Sequence, residues 1–427
     1  GGTIPVVRAT KEPVHTVLSG PAGGVVGALE WSRRSGHERI ITFDMGGTST
    51  DVSLCPGSPM RTREFQVDGI PVSVPVIDIH TVGAGGGSLA RMDSGGALRV
   101  GPESAGAVPG PICYGRGGTG VTVTDAHVWL GRLPADAFLG GNALLDREAV
   151  RPSLSALADS MGTSPEAVAE GILSVADAAM ERALRVISVE RGHDPRDFSL
   201  VAFGGAGGLH VAKLAERIGA PRAIIPPNPG LLSAFGMLVA PATKEASRSA
   251  FLRSDRDWAS GMAALTKDLA AQARNALRED GYSDDVIRLS TSVDARYLGQ
   301  SFELQVPADD WESAFHRLHK DRYGYDKPGS PVEAVTVRVI AEAPPLEVST
   351  PGLPERSAST PVMVPAWPSS GPREVPLYQR DSLGRGARVM GPAIIAEYSG
   401  TTWIPAGWQA EADVIGSLHL TERHPSR

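Results

Sequence analysis

The chain has 427 residues, enough for two or three domains of about 100–200 residues each, so a sizeable hydrophobic core is available. Its 41 Lys+Arg against 48 Asp+Glu leave a net charge of −7 without any Lys/Arg block, which excludes a general nucleic-acid binder, because duplex affinity comes from basic side chains facing phosphates. Cys55 and Cys113 supply neither a disulfide framework nor four zinc ligands, and no apolar run approaches the roughly 18–20 residues of a membrane span; a soluble, cytoplasmic protein with no membrane partner is expected.

In chain order, "SGPAGG" reads as a turn ahead of a short helix, "VVGALEWSRRSG", ending near Gly36. Gly1 in place of Met is read as a start partway through a longer polypeptide. An apolar run from Ile40 to Phe43, the turn Asp-Met-Gly-Gly-Thr and a returning strand through Val52 and Leu54 follow. Further glycine-rich segments occur at "VPVIDIHTVGAGGGSLA" and "GPESAGAVPGPICYGRGG". Residues 164–191 predict a long helix, capped by Thr163 or Ser164, with Pro165 in its first turn and an apolar stripe from Val168 to Val186. A buried strand from Leu200 to Phe203, a Gly-Gly-Ala-Gly-Gly turn and a helix ending at Gly219 come next, and a Pro/Gly segment closes the domain near 245.

Beyond it, Met262, Leu265, Leu269, Ala273 and Leu277 predict a helix, the residues about Gly299 a β hairpin, and "VEAVTVRVIAEAP" a strand. Residues 344–376 hold nine prolines and read as an extended surface connection. The expected division is therefore 1–245, an α+β part at 246–343, the connection at 344–376, and short β elements at 377–427.

Asp44-Met-Gly46-Gly47-Thr48-Ser-Thr50-Asp51 is the strongest candidate site. Adjacent glycines let main-chain N–H groups reach phosphate oxygens, Thr48 and Thr50 add hydroxyl donors, and Asp44 at the strand end suits a hydrated Mg²⁺. The plain alternative is a hairpin whose Asp44 and Asp51 cap turns. No Gly-Lys-Ser/Thr occurs, which rules out a Walker A loop. Gly85 and Gly86, in "VGAGGGSLA", read as a loop approaching a ligand or neighbouring backbone; a dinucleotide fingerprint is disfavoured because Ser88 stands where a third glycine belongs. Gly204, Gly205, Ala206 and Gly207 open a helix, and paired with the Asp44 turn they predict a two-sided nucleotide cleft for ATP. His80, Asp125, His127 and His210 are polar residues near these loops: His80, His127 and Asp125 are candidate ligands of a second divalent metal, set against ordinary hydrogen-bonded histidines. Cys113 is either a nucleophile or, as isolated cysteines usually are, a small buried hydrophobe.

The ordered segments "LSGPAGGVVGA", "FDMGGTSTDV", "IDIHTVGAGGGSLA", "GPESAGAVPGPICYGRGG", "TVTDAHVWLGRL", "VAFGGAGGLHV" and "IIPPNPGLLSAFGML" resemble the hydantoinase A/5-oxoprolinase family. "DARYLGQSFELQVP", "RYGYDKP" and "GPAIIAEYSGTTWIPAGW" resemble its C-terminal domain. The resemblance implies an α/β, actin-like and sugar-kinase-like ATPase fold, partial for want of the first subdomain with its earlier Asp-Gly-Gly-Thr turn, plus a C-terminal α+β domain. It assigns Asp44, Gly46, Gly47 and Thr48 to the second phosphate motif and Gly204 to Gly207 to the adenosine motif. "GLHVAK" at 208–213 departs from the commoner "PLHACA".

The implied activity is ATP-dependent hydrolysis of a cyclic amide such as 5-oxoproline, a hydantoin or a related lactam. Asp44 would position the magnesium shell, and His80 is a second catalytic candidate. A hydantoinase B-type subunit and an oligomeric state are the expected partners. The alternatives are a subunit of an ATP-dependent ketone carboxylase, or a nucleotide-binding module without turnover.

Overall fold

The structure, a computed structural model, describes residues 9–10, 13–62, 65–67, 70–72, 76–345, 347–350, 352–356, 358–368 and 371–423. The opening residues of the domain expected at 1–245, residues 73–75 of the second strand segment, and residues 346, 351, 357, 369 and 370 of the Pro-rich connection lie outside them. The chain forms two compact units, one built from 18–237 with 348–427 and the other from 238–347. The last 50 or so residues, expected in a C-terminal domain, thus belong with the first unit: strand Leu418–Glu422 pairs with Ala223–Ile225 and extends the main sheet.

That sheet has eight strands in the order 388–390, 408–412, 418–422, 223–225, 199–203, 39–45, 50–56, 80–82. Its centre is parallel: Arg39–Met45 runs beside Ser199–Phe203, which runs beside Ala223–Ile225, and Thr50–Pro56 returns antiparallel to the first. The central strands read as unbroken apolar runs because both faces are covered. Alternate residues serve the two sides. Ile40, Val201, Phe203 and Ile224 pack with Val25, Ala28 and Leu29 of helix Ser19–Arg34. Ile41, Phe43, Leu200 and Ala202 join the core of helices Pro165–Ile187 and Gly207–Ile218.

Helix Pro165–Ile187 is shorter than the 164–191 expected; Ser164 caps it by accepting from the Ala167 amide at 3.2 Å, and a 3₁₀ turn at Val189–Arg191 leads to Gly192. The glycines of "SGPAGG" are not a turn. They lie inside helix Ser19–Arg34, where a methyl group on Gly23 or Gly27 would stand 2.6 Å from a carbonyl oxygen of helix Leu232–Leu238, so they permit close helix packing. A mixed sheet of Val362–Ala366, Arg373–Gln379, Ala393–Glu397 and Gly400–Ile404 completes the first unit. The proline-bearing strand Val362–Ala366 stands at its edge, where a missing N–H is tolerated.

The second unit is an antiparallel sheet, in the order 242–253, 332–343, 288–297, 304–307, packed with helices Ala259–Glu279 and Trp311–Tyr323. Leu269, Leu277, Val293, Trp311, Phe315 and Val337 fill its core. Among the described residues no helix is long and apolar enough to cross a membrane.

One buried cation ties the C-terminal strands to the main sheet. The Arg380 guanidinium donates to Glu397 Oε1 at 2.9 Å and to the carbonyl oxygens of Ile225 and Gly416 at 2.8 and 2.7 Å. Arg380→Ala is expected to destabilise the protein by about 3–5 kcal/mol in urea denaturation, because it strands the buried Glu397 carboxylate and both carbonyls.

Candidate functional site

Parallel pairing sets Asp44 opposite Phe203 and therefore brings the turns that follow both strands to the same sheet edge. The two turns touch. The Ala206 amide donates to the Met45 carbonyl at 3.2 Å, and Gly204, at φ +76°, lies so close that a Cβ there would collide with the Met45 oxygen and stand 2.5 Å from Asp44 Oδ1. The Gly46 amide closes its own hairpin onto the Ser49 carbonyl at 3.1 Å. Among the described residues, the amides of Gly47 and Thr48 donate to nothing, and both residues are exposed at the turn.

A cleft of about 180 Å³ opens between the turns. Gly46, Gly47 and Gly86 line one side, Gly205, Ala206 and Leu209 at the start of helix Gly207–Ile218 another, and Glu397 to Thr401 a third. Tyr114, Phe138, Leu139 and Tyr398 make it apolar towards the rim, and His127 forms part of the wall. The Glu397 carboxylate is held by Arg380 and by the Asn228 amide at 2.9 Å; burial raises its pKa and Arg380 opposes the rise. No local sequence signal placed this C-terminal turn at the cleft, since residues 397–401 carry no recognisable ligand pattern.

Asp44 and Asp51 are register partners on adjacent antiparallel strands, so two carboxylates share one face. Burial, aided by Asp51, pushes the Asp44 carboxyl up to about 7, while Asp51 is raised by burial and partly relieved by the Thr81 hydroxyl, which donates to Asp51 Oδ1 at 2.5 Å. Among the described residues nothing donates to the Asp44 carboxylate. Asp51 was legible only as a turn cap; its pairing with Asp44 follows from closing the hairpin at Gly46 and Ser49.

Other expected site residues stand differently. The Thr50 hydroxyl is fully buried and donates to the Ala84 carbonyl at 2.5 Å, so it offers no phosphate contact. Gly85 and Gly86 support the Asp44 turn from behind: the Gly86 amide donates to the Gly46 carbonyl at 3.0 Å, and only Gly86 reaches the cleft. His80 sits on the edge strand His80–Val82, opposite Val52, and does not line the cleft.

The metal set His80, His127 and Asp125 is not formed. The Asp125 carboxylate accepts from the amides of Ile112, Cys113 and Thr122 at 3.2, 2.8 and 2.9 Å and from the Thr122 hydroxyl at 2.8 Å, capping helix Val123–Trp129. His127 Nε2 is engaged with His210 Nε2 at 3.0 Å. No cluster of three or more His, Cys, Asp or Glu suited to a metal occurs among the described residues. Cys55 and Cys113 are free and buried; burial lifts the Cys55 thiol to about 12, and burial with the Asp125 charge lifts Cys113, so neither is a thiolate nucleophile.

Residues 1–246 match the family model described as hydantoinase/oxoprolinase. The chain belongs to this family. Caprolactamase subunit alpha of Pseudomonas jessenii is 35% identical over 450 residues, covering 99% of this chain and 64% of that subunit. 5-Oxoprolinase 1 of Arabidopsis thaliana is 32% identical over 449 residues, 98% of this chain and 35% of that protein. The crystal structure of the ATP-dependent caprolactamase from Pseudomonas jessenii superposes with a TM-score of 0.81 at 34% identity, over 95% of this chain and 62% of that one. Nucleotide-free acetone carboxylase gives 0.79 at 29% identity, over 96% and 62%. The hydantoinase/oxoprolinase chain described here thus spans less than two thirds of these relatives, and it shares the α/β fold of the family's ATP-dependent enzymes, as expected.

Two outcomes follow for the family's glycine turns as they stand in this chain. Gly204→Ala forces a side chain into a positive-φ position against the Met45 carbonyl and is expected to lower Tm clearly, while Gly20→Ala, with nothing within 4 Å, leaves it near wild type. Asp44 titrates near 3.8 when unfolded and near 7 when folded, so between these values the folded protein holds a proton that the unfolded chain has lost. Its contribution to stability therefore falls as pH rises through about 4 to 7. Asp44→Asn removes that slope: thermal melts should show little difference from wild type at pH 4 and a higher Tm for the variant at pH 8.

Proposed function

We propose that the cleft binds the phosphate tail of ATP and that the protein containing this chain hydrolyses a cyclic amide at the expense of that nucleotide. The observation that carries this is the meeting of two glycine turns, where Gly47, whose amide has no partner among the described residues, lines the same opening as the residues at the N-terminus of helix Gly207–Ile218. At about 180 Å³ the opening suits a phosphate tail better than a whole nucleotide. Relatives named 5-oxoprolinase and ATP-dependent caprolactamase support the substrate class.

Amide resonance makes a lactam a poor electrophile. Moving the γ-phosphoryl group to the amide oxygen turns that oxygen into a leaving group, after which water opens the ring. In this scheme Gly46, Gly47 and Thr48 cradle phosphate oxygens, and Gly204 to Gly207 bring the second turn against the nucleotide. Asp44 and Asp51 would hold Mg²⁺, whose charge neutralises the phosphates; the fit rests on the unpartnered Asp44 carboxyl and its facing partner. A hydantoinase B-type subunit would carry the ring hydrolysis, and the two free cysteines suit a reducing, cytoplasmic location. The acetone carboxylase match, nearly as good in fold, keeps a ketone-carboxylase reading in view, with the same phosphoryl donor acting on an enol.

A Cβ on Gly47 meets nothing within 4 Å, so Gly47→Val is expected to fit the fold while filling the cradle. The variant is expected to keep its Tm and lose about tenfold or more in ATP affinity by calorimetry. Lactam-stimulated ADP release by the complete assembly is the expected activity; ADP release with a ketone and bicarbonate but with no lactam transfers the reading to carboxylation.

A further inference from the structure

The cleft has an electrostatic gap. Among the described residues that line it there is no lysine or arginine, and its one carboxylate, Glu397, is already held by Arg380 and the Asn228 amide. Asp44 and Asp51 add two more carboxyls at the same edge of the sheet. A phosphate tail entering this opening therefore meets peptide N–H groups but no fixed positive charge from the wall.

Arg116 stands beside that wall without belonging to it. Its guanidinium carbon lies 5.9 Å from the centre of the Tyr114 ring; Tyr114 lines the cleft and packs at 5.6 Å against Phe138, which lines it too. The side chain is exposed, and among the described residues no carboxylate pairs with it. Arginines near it in the sequence are committed elsewhere: Arg91 is paired with Glu103, Arg99 with Asp93 and Arg151 with Glu148. An exposed stacking contact of the kind Arg116 makes is worth only about 0.5–1 kcal/mol, so leaving it costs little.

The backbone around Arg116 is anchored on both sides and open between. Upstream, the Asp125 carboxylate accepts from the amides of Ile112 and Cys113. Downstream, Gly118 is packed so tightly that a Cβ there would collide with the Gly110 carbonyl oxygen. Between these points Gly115 and Gly117, at φ +68° and +90°, have nothing within 4 Å of where a Cβ would stand. Arg116 thus occupies a short, unobstructed tip on a fixed base, next to a cleft-lining ring.

Resting on the nucleotide reading above, we infer that Arg116 binds the γ-phosphoryl group during its transfer, as an arginine supplied by the same chain. A lone pair of the amide oxygen forms the new O–P bond while the bond from the γ-phosphorus to the bridging oxygen breaks, its electrons leaving with ADP. The immediate product is the O-phosphorylated amide, its nitrogen still protonated and carrying the positive charge. Arg116 gains and loses no proton. In transit the phosphoryl charge is spread over three equatorial oxygens, and the planar guanidinium presents N–H donors in a fixed fork to them. The contact is stronger there than in bound ATP, so it lowers the barrier and contributes little to ground-state affinity.

The test uses the complete assembly. Arg116→Ala should bind ADP as wild type does by calorimetry, yet lose about 10²-fold or more in affinity for ADP with aluminium fluoride, a mimic of the phosphoryl group in transit. Lactam-dependent ADP release should fall about 10²–10³-fold through kcat, to the same extent with 5-oxoproline and with caprolactam, and added guanidinium should restore part of it. Arg116→Lys, which keeps the charge but not the fork, should fall between the two. Wild-type affinity of Arg116→Ala for the aluminium fluoride complex overturns the inference. So does a raised KM for 5-oxoproline with caprolactam turnover intact, which assigns Arg116 to the substrate's carboxylate. Failure of the wild-type assembly to bind ATP or ADP overturns the nucleotide reading itself, an outcome distinct from any difference between variant and wild type.

Discussion

Everything at the candidate site depends on one parallel strand pairing. Arg39–Met45 and Ser199–Phe203 run side by side, so their carboxyl ends emerge at the same edge and the two turns have to share space. That position, outside the carboxyl ends of parallel strands, is where open α/β sheets commonly bind ligands. The contact is close enough that only a residue without a Cβ fits at 204, beside the Met45 carbonyl and the Asp44 carboxyl. Strand burial on both faces makes the pairing rigid, and the rigidity holds two otherwise flexible turns in a defined relation.

The same edge concentrates uncompensated polarity. Two carboxylates face each other across a hairpin, and among the described residues two turn amides lack partners and a buried imidazole nitrogen stands unpaired. The paired carboxylates and the buried nitrogen cost folding stability, since buried polar groups are normally satisfied. Of these residues Gly47 and His127 line the cleft, in contrast to the saturated networks nearby, such as the four donors on Asp125 or the three acceptors on Arg380.

Much of the frame was legible in one dimension. The unbroken apolar runs marked the central strands, the cap and the apolar stripe located helix Pro165–Ile187, and the doubled glycines marked both turns. Other local patterns misled for a physical reason. Glycines at 23 and 24 look like a turn but serve close packing of a helix, because the same missing side chain that permits unusual φ also permits close approach. Thr50 resembled a phosphate donor, yet strand alternation turns its hydroxyl inward to Ala84.

Local composition and periodicity determined the central strands, helix Pro165–Ile187 and the two glycine turns, because each depends on residues near one another along the chain, and the ordered motifs carried the family resemblance. Only the tertiary structure decided that residues 397–401 close the cleft, that Asp51 faces Asp44, and that Asp177, His210 and His127 form a line. Asp177 and His127 lie 50 residues apart, and His210 another 33 beyond Asp177. No periodic signal links positions so far separated; helix packing around a common core does.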